Sequence, residues 1–432
     1  MHVYFSGIAG TGIGPLALIA QAAGFSISGS DKQDNAYLAY LKKHGITDIH
    51  VGQSYEAIAA VHAKKPIDWF VYTSALPIEQ PDAPELRFCE EHHIKATKRD
   101  IFLNELLNEK QLKMIAIAGT HGKTTTTAMT IWLFKQLGIP ISYSVAAKLP
   151  FGDMGVFNPE SEYFIYEADE FDRNFLAFRP YLSIITGIDW DHPDIYPTRE
   201  KYNHAFVQFL SQSEWKMLWK SDAERLGVEK DECLWIMDEH ESEIDKMLTL
   251  PGRVNRLDAW QVIHAVREIT DTPLEELALH MNKFPGVARR FEKIAAGIYS
   301  DYAHTPPKIR GALQIAEEVA GKNVIIIYEG LHNTRQHFIK EELRTLFDNV
   351  KRLYVVPSYL AREDPKLRTL TPADIVDLLS PASRAHAQAA ALDDSLQKAV
   401  EAHIKQGDIV VCLSAGGGHS LDEWIRKVFT SD

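Results

Sequence analysis

Lys123 and Thr124 close the turn in "IAIAGTHGKTTTTAM", residues 115–129, where an apolar run passes through two glycines into a run of threonines. A lysine and a hydroxyl at the mouth of a helix are what a polyphosphate requires. Backbone N–H groups of Gly119, Thr120, His121 and Gly122 face the anion at the positive end of the helix, and the ammonium reaches the outer phosphates. The Thr124 hydroxyl, with Thr125 beside it, offers oxygen to magnesium, a hard cation. The usual phosphate-loop pattern has a glycine where this chain has Ile117, so the loop is a variant.

Two acidic stretches follow. "YFIYEADEFD" ends an apolar run at Glu167, with Asp169, Glu170 and Asp172 just beyond, and "IITGIDWDHPDIY" sets His192 after another run. At the C-terminal edge of a parallel sheet such groups gather beside a phosphate loop, and a magnesium site is the natural reading. A solvated acidic loop and a histidine with no ligand role are the plainer alternatives.

Near the N-terminus, "GIAGTGIGPLA" follows a strand-like run, and Asp31 closes "SISGSD" after the next one. Gly7, Ala9, Gly10, Thr11, Gly12, Ile13 and Gly14 let backbone approach a diphosphate, and an acid about 20 residues on suits a ribose. The strict dinucleotide spacing is met only from Gly12 through Gly14 to Ala17. Alone, this turn also fits a loop with no ligand or a nicotinamide dehydrogenase. The second loop decides against the dehydrogenase: hydride transfer has no use for a lysine–threonine triphosphate grip, whereas a ligase acting on a nucleotide-carrying substrate needs both loops.

The elements that must hold these groups alternate short apolar runs with amphipathic segments, the pattern of parallel strands and crossover helices in an α/β protein. Runs at 3–5, 25–27, 69–72, 114–118, 163–166, 182–185, 324–327, 353–356 and 409–413 read as strands buried on both faces. With 432 residues, 45% of them hydrophobic, the chain exceeds one core, since single domains run about 100 to 200 residues. Texture breaks at "LLNEKQLK" and "NKFPGVARR" divide it into three expected domains, 1–110, 111–284 and 285–432. A net charge of −13 argues against a nucleic-acid or membrane footing, so any anionic ligand must be met locally. Three widely spaced cysteines and an opening without a basic, apolar leader predict a cytoplasmic protein without disulfides.

The stretches "GTHGKTTTTAM", "EADEFD", "DWDHPDIY", "GVARRFE" and "SDYAHTPPKIRGAL" occur in an order that resembles the Mur ligase family, ATP-dependent amide ligases of peptidoglycan precursor synthesis. The resemblance implies an N-terminal Rossmann-like domain holding the UDP part of UDP-N-acetylmuramate through residues 7–14, Asp31 and Ser74 of "TSAL". It further implies a central P-loop domain for ATP and Mg2+, and a C-terminal Rossmann-like domain for an amino acid or peptide acceptor. By the same resemblance Lys123, Glu167, His192 and Arg290 are catalytic, Thr124, Glu167 and His192 hold magnesium, and Asn255, Arg290, Asp301 and His304 meet the nucleotide. "SGIAGTGIGPLA" and "TSAL" are similar to the branch that adds L-alanine; "IYEGLHNTRQH", with His332 and Arg335 as acceptor residues, leans toward the branch that recycles a tripeptide. The family's asparagine is Gly187 here, and its adenine-side histidine and second asparagine are Val254 and Asp258. A non-catalytic nucleotide-binding protein on the same fold is the alternative of another class.

Overall fold

The computed structural model describes residues 1–191, 195–229, 232–360 and 363–430. Its strands form three sheets. The first contains β1 (His2–Ser6), β2 (Ser26–Asp31), β3 (Ile49–Val51), β4 (Trp69–Tyr72) and β5 (Lys95–Lys98). Their order is β3-β2-β1-β4-β5 and every pairing is parallel. The second contains β6 (Lys113–Ala118), β7 (Ile141–Ser144), β8 (Gly155–Val156), β9 (Tyr163–Glu167), β10 (Leu182–Ile185), β11 (Trp215–Trp219) and β12 (Leu234–Met237). Their order is β12-β11-β10-β6-β9-β7-β8, with β8 alone antiparallel. The third contains β13 (Glu292–Ala295), β14 (Ile298–Asp301), β15 (Val324–Leu331), β16 (Arg352–Tyr359), β17 (Ala387–Ala389) and β18 (Ile409–Leu413), in the order β13-β14-β18-β15-β16-β17.

These sheets follow from sequence. In "KMIAIA" Met114 to Ala118 are all buried, as a central parallel strand covered by helices on both faces requires. The order reverses at β1 in the first sheet and at β6 in the second, and loops leaving such switch points sit in a crevice open to ligands. Both glycine turns leave those two strands: the first runs into α1 (Gly14–Ala22), the second into α3 (Lys123–Gln136), while α2 (Arg99–Glu109) lies between them in sequence. Ile117 is fully buried within β6, in register with Glu167 and Ile184. It is still strand, which is why the turn begins only at Gly119.

By contacts the chain falls into two compact units, the first of which contains both the first and the second sheet. One comprises 1–248 and 258–284, the other 249–257 and 285–432. The first two sheets merge because α1 lies against β8, where a Cβ on Gly155 would stand 2.5 Å from the Pro15 carbonyl oxygen. Polar contacts reinforce the joint: the Tyr40 hydroxyl donates to Asp153 and the Ser74 hydroxyl to Asn174, at 2.6 and 2.9 Å. No helix among the described residues is long and apolar enough to cross a membrane.

Candidate active site

The second turn is built by its neighbours. Gly119 and Gly122 have φ of +138° and +76°, conformations that side chains rarely adopt, and a Cβ on Gly119 would stand 2.9 Å from the Gly187 carbonyl oxygen. That carbonyl accepts the Thr120 N–H at 2.8 Å. The Thr120 hydroxyl is fixed between Asp189 and Tyr202, and Thr186 donates to the His121 carbonyl. Threonines tolerate the start of α3 because Thr127 and Thr130 return their hydroxyls to carbonyls four residues earlier; Thr125 is half-buried beside them.

Lys123 is largely buried. Its Nζ lies 2.5 Å from the Gly119 carbonyl oxygen and 3.1 and 2.8 Å from the two oxygens of Glu170. Burial presses its pKa down, but Glu170, Asp169 and Glu167 outweigh it and hold the ammonium above its ordinary value. Next to it the Thr124 hydroxyl donates to Glu167 Oε1 at 2.8 Å, and Glu167 Oε2 accepts the Ala146 N–H. Sheet register explains the meeting, since Glu167 ends β9, the immediate neighbour of β6.

The acidic run does not act as one metal cluster. Asp169 pairs with Arg99, Glu170 with Lys123 and Asp172 with Lys98, whereas Glu167 accepts the Thr124 hydroxyl. No group of three or more His, Cys, Asp or Glu among the described residues could hold a metal ion. Magnesium still fits the donors present, because it usually takes one or two protein oxygens and completes its shell with water and phosphate. His192 lies outside the described residues.

Asp258, in α4 (Arg253–Thr270), is turned onto this turn: both its oxygens would stand 2.8 Å from a Cβ on Gly122. Burial, countered only by the Thr126 hydroxyl, pushes its pKa up to about 8. The other unit carries Val254 and Asn255, the Asn255 amide donating to the Pro251 carbonyl.

The first turn is held by β2. Gly7 and Ile8 donate N–H to the Ser30 carbonyl at 2.8 and 2.9 Å, and Ala9 donates to Asp31 Oδ2 at 2.8 Å. Asp31 therefore clamps the turn. Gly10 and Thr11 are exposed, Gly12 is partly exposed and Ile13 is buried. Ser74, expected on the same surface, is buried, with its hydroxyl spent on Asn174. Arg99, which sequence reasoning passed over, lies on this turn: a Cβ on Gly12 would stand 1.5 Å from its Nη1.

In the second unit, Asp301 is half-buried and accepts N–H groups from Phe291 and Ala303, each at 2.8 Å. It thereby fixes the bend at 289–291, where Arg289 and Phe291 have positive φ. Arg290 stacks 4.9 Å above the Tyr302 ring and donates to the Arg289 carbonyl. His304 is buried, one ring nitrogen 2.8 Å from the Tyr302 carbonyl oxygen. His332, at φ +57°, precedes α5 (Asn333–Leu343) and lies 3.7 Å from Glu363. Arg335, one turn on, is partly exposed and makes no ion pair among the described residues.

Three family models match in order: Mur ligase family, catalytic domain, over 2–111; Mur ligase middle domain over 117–225; and Mur ligase, glutamate ligase domain, over 289–416. The chain is 29% identical to a UDP-N-acetylmuramate--L-alanine ligase of Syntrophomonas wolfei, over 84% of this chain and 83% of that one. A Clostridium perfringens protein of the same name is 28% identical over 98% and 97% of the two chains. Among solved structures, a Thermotoga maritima UDP-N-acetylmuramate-alanine ligase superposes with a TM-score of 0.77 at 23% identity, over all of both chains. A murein peptide ligase of Psychrobacter arcticus gives 0.64 at 21% identity, over 100% and 98%.

Proposed function

The chain belongs to the Mur ligase family, and from that membership we propose that it is an ATP-dependent ligase joining L-alanine to UDP-N-acetylmuramate in the cytoplasm. The observation that carries this reading is the Thr124–Glu167 hydrogen bond beside the buried Lys123 ammonium, at the strand where the second sheet reverses.

The chemistry joins two anions. A carboxylate oxygen of the muramyl group attacks the γ-phosphorus of ATP, ADP leaves, and an acyl phosphate results. The amine of L-alanine then attacks the acyl carbon, loses a proton, and the carbon–oxygen bond to phosphate breaks. Lys123 neutralises the outer phosphates, which compete with Glu170 for the ammonium; the backbone amides at 119–122 do the same without rearranging. Thr124 and Glu167 would hold magnesium, which supplies further neutralising charge at the phosphates. By the family resemblance Arg290 is assigned to the γ-phosphate, and Asn255, Asp301 and His304 to the remaining nucleotide contacts. Residues 7–14 with Asp31 take the UDP part. His332 and Arg335 receive the acceptor, the guanidinium holding its carboxylate through two parallel hydrogen bonds.

Mixing the protein with ATP, UDP-N-acetylmuramate and either L-alanine or the tripeptide L-alanyl-γ-D-glutamyl-meso-diaminopimelate tests the proposal by product mass and ADP formation. Ligation of L-alanine in preference to the tripeptide is expected. Faster ligation of the tripeptide transfers the assignment to the recycling reaction, which the "LHNTRQH" loop resembles. Ligation of neither, with ATP bound, leaves a nucleotide-binding protein without the activity.

A further inference from the structure

The first glycine turn has no cation of its own between residues 7 and 14, in a chain of net charge −13. Yet the reading above asks it to hold a diphosphate. The fold supplies the missing charge from elsewhere. Arg99, the first residue of α2, reaches the turn with Nη1 as its nearest atom: a Cβ on Gly12 would stand 1.5 Å from Nη1, 2.8 Å from Cζ and 3.6 Å from Nε. Glycine at position 12 is therefore the condition for a guanidinium to lie there.

Two further observations converge on the same spot. The N–H groups of Thr11 and Gly12, just ahead of α1, bond no protein acceptor among the described residues, whereas those of Gly7, Ile8, Ala9, Gly10, Ile13 and Gly14 all do. And the guanidinium is aimed rather than loose. Its side chain is 15% exposed, and Nη2 donates to Asp169 Oδ2 at 3.0 Å, while Asp169 Oδ1 accepts the Phe171 N–H. Burial would favour loss of its proton, but Tyr166, Asp169 and Asp100 reverse that and keep it charged. Nη1 and Nε bond no protein acceptor among the described residues, so one side of the planar fork is committed to Asp169 while Nη1 faces the turn.

We propose that Arg99 binds the diphosphate of the UDP-linked donor together with the free amides of Thr11 and Gly12, and that Asp169 is the positioning residue that holds its guanidinium over the turn. The inference rests on the reading of the donor as a UDP-sugar. It also ties the donor turn to the ATP turn, because Asp169 adjoins Glu170, the partner of Lys123.

The test uses the full chain with UDP and uridine as probes. In the native protein UDP should bind, read by calorimetry and thermal protection, and uridine should bind far more weakly. Arg99→Gln should weaken UDP binding by about tenfold or more, the scale of a lost charge-assisted contact, and leave ATP binding within about twofold. In turnover it should raise the KM for UDP-N-acetylmuramate with little change in kcat. Arg99→Lys should recover only part, since an ammonium cannot copy the fork. The double variant Arg99→Gln with Asp169→Asn leaves no buried charge unpaired, so it keeps the test sound if the single variant folds poorly, and it should remain weak toward UDP. Normal UDP affinity in Arg99→Gln, or its restoration in the double variant, would reduce Arg99 to a structural ion pair and overturn the inference alone. Absence of UDP binding by the native protein would overturn the donor reading and this inference with it.

Discussion

The turns at 7–14 and 119–122 leave the strands at which their sheets reverse, run into helices, and lie in one compact unit. They obtain charge by different routes. The second takes its cation, Lys123, from the residue that directly follows it in the chain, locked to Glu170. The first borrows Arg99 from a helix that begins after a further four strands of chain. Each also has a buried carboxyl behind it. Glu85, fully buried, is met by the hydroxyls of Tyr4, Ser6 and Ser30, whereas Asp258 has the Thr126 hydroxyl as its one counterweight to burial. A local lysine makes a grip that a short sequence pattern encodes. A borrowed arginine makes one that depends on two sheets being correctly joined.

The largest effect separates the turns outright. Lys123→Ala should lower turnover by about a hundredfold or more while leaving UDP binding intact. It also removes the ammonium paired with Glu170, a buried carboxylate, and so should lower the melting temperature. Adding Glu170→Gln should restore the melting temperature but not turnover. Equal loss of UDP and ATP function in the single variant would erase the contrast.

A third anion, the acceptor's carboxylate, extends the comparison to the other unit. Arg335→Lys should raise the KM for L-alanine by about tenfold and leave that for ATP nearly unchanged. An unchanged KM for L-alanine would make Arg335 a surface residue.

Burial raises both carboxyls behind the turns, and pH reads the one behind the second. Asp258 titrates at about 8 in the folded protein, above its ordinary 3.8, so folding binds a proton there that the unfolded chain has released. Its stabilising contribution is complete at acid pH and is lost as pH rises from about 4 to about 8. Asp258→Asn should remove that decline, melting about 3 °C or more above the native protein at pH 8 and close to it near pH 4. Parallel melting curves across the range would show that Asp258 does not titrate there. The smallest effect is a control on neighbouring cations. Lys98 pairs with Asp172 in a half-buried contact, so Lys98→Met should cost about 1 kcal/mol in denaturant unfolding and leave the KM for UDP-N-acetylmuramate unchanged.

The same difference explains what the sequence made legible. Lys123, Thr124 and the glycines between Ala118 and Lys123 are close in the chain, and Glu167 could be placed beside them because strand ends of a parallel sheet collect at one edge. The nine strand runs all fall within or overlap observed strands, since burial on both faces leaves a continuous apolar signal. Partners that meet only through packing were opaque. Arg99 in "KRD" carries no local signal of its place, Glu170 stands as one acid of a run beside the phosphate loop, and Asp258 as a departure on the adenine side, although its carboxyl faces Gly122. Ser74 was expected at the donor surface and is instead buried in the joint between two sheets, a joint made by Pro15, Gly155, Tyr40 and Asp153 that no local pattern announces.

The claim that the two turns bring two anions to one reaction is tested most directly by isotope transfer. UDP-N-acetylmuramate labelled with oxygen-18 in its muramyl carboxylate is incubated with the protein, ATP and L-alanine, and the released inorganic phosphate is analysed by mass. Attack of the carboxylate on the γ-phosphorus followed by amine displacement carries a carboxylate oxygen into the phosphate, so each ligation event should yield phosphate bearing one oxygen from that carboxylate. Phosphate released without the label, while amide product accumulates, would mean that the carboxylate never attacks ATP, and would contradict the account.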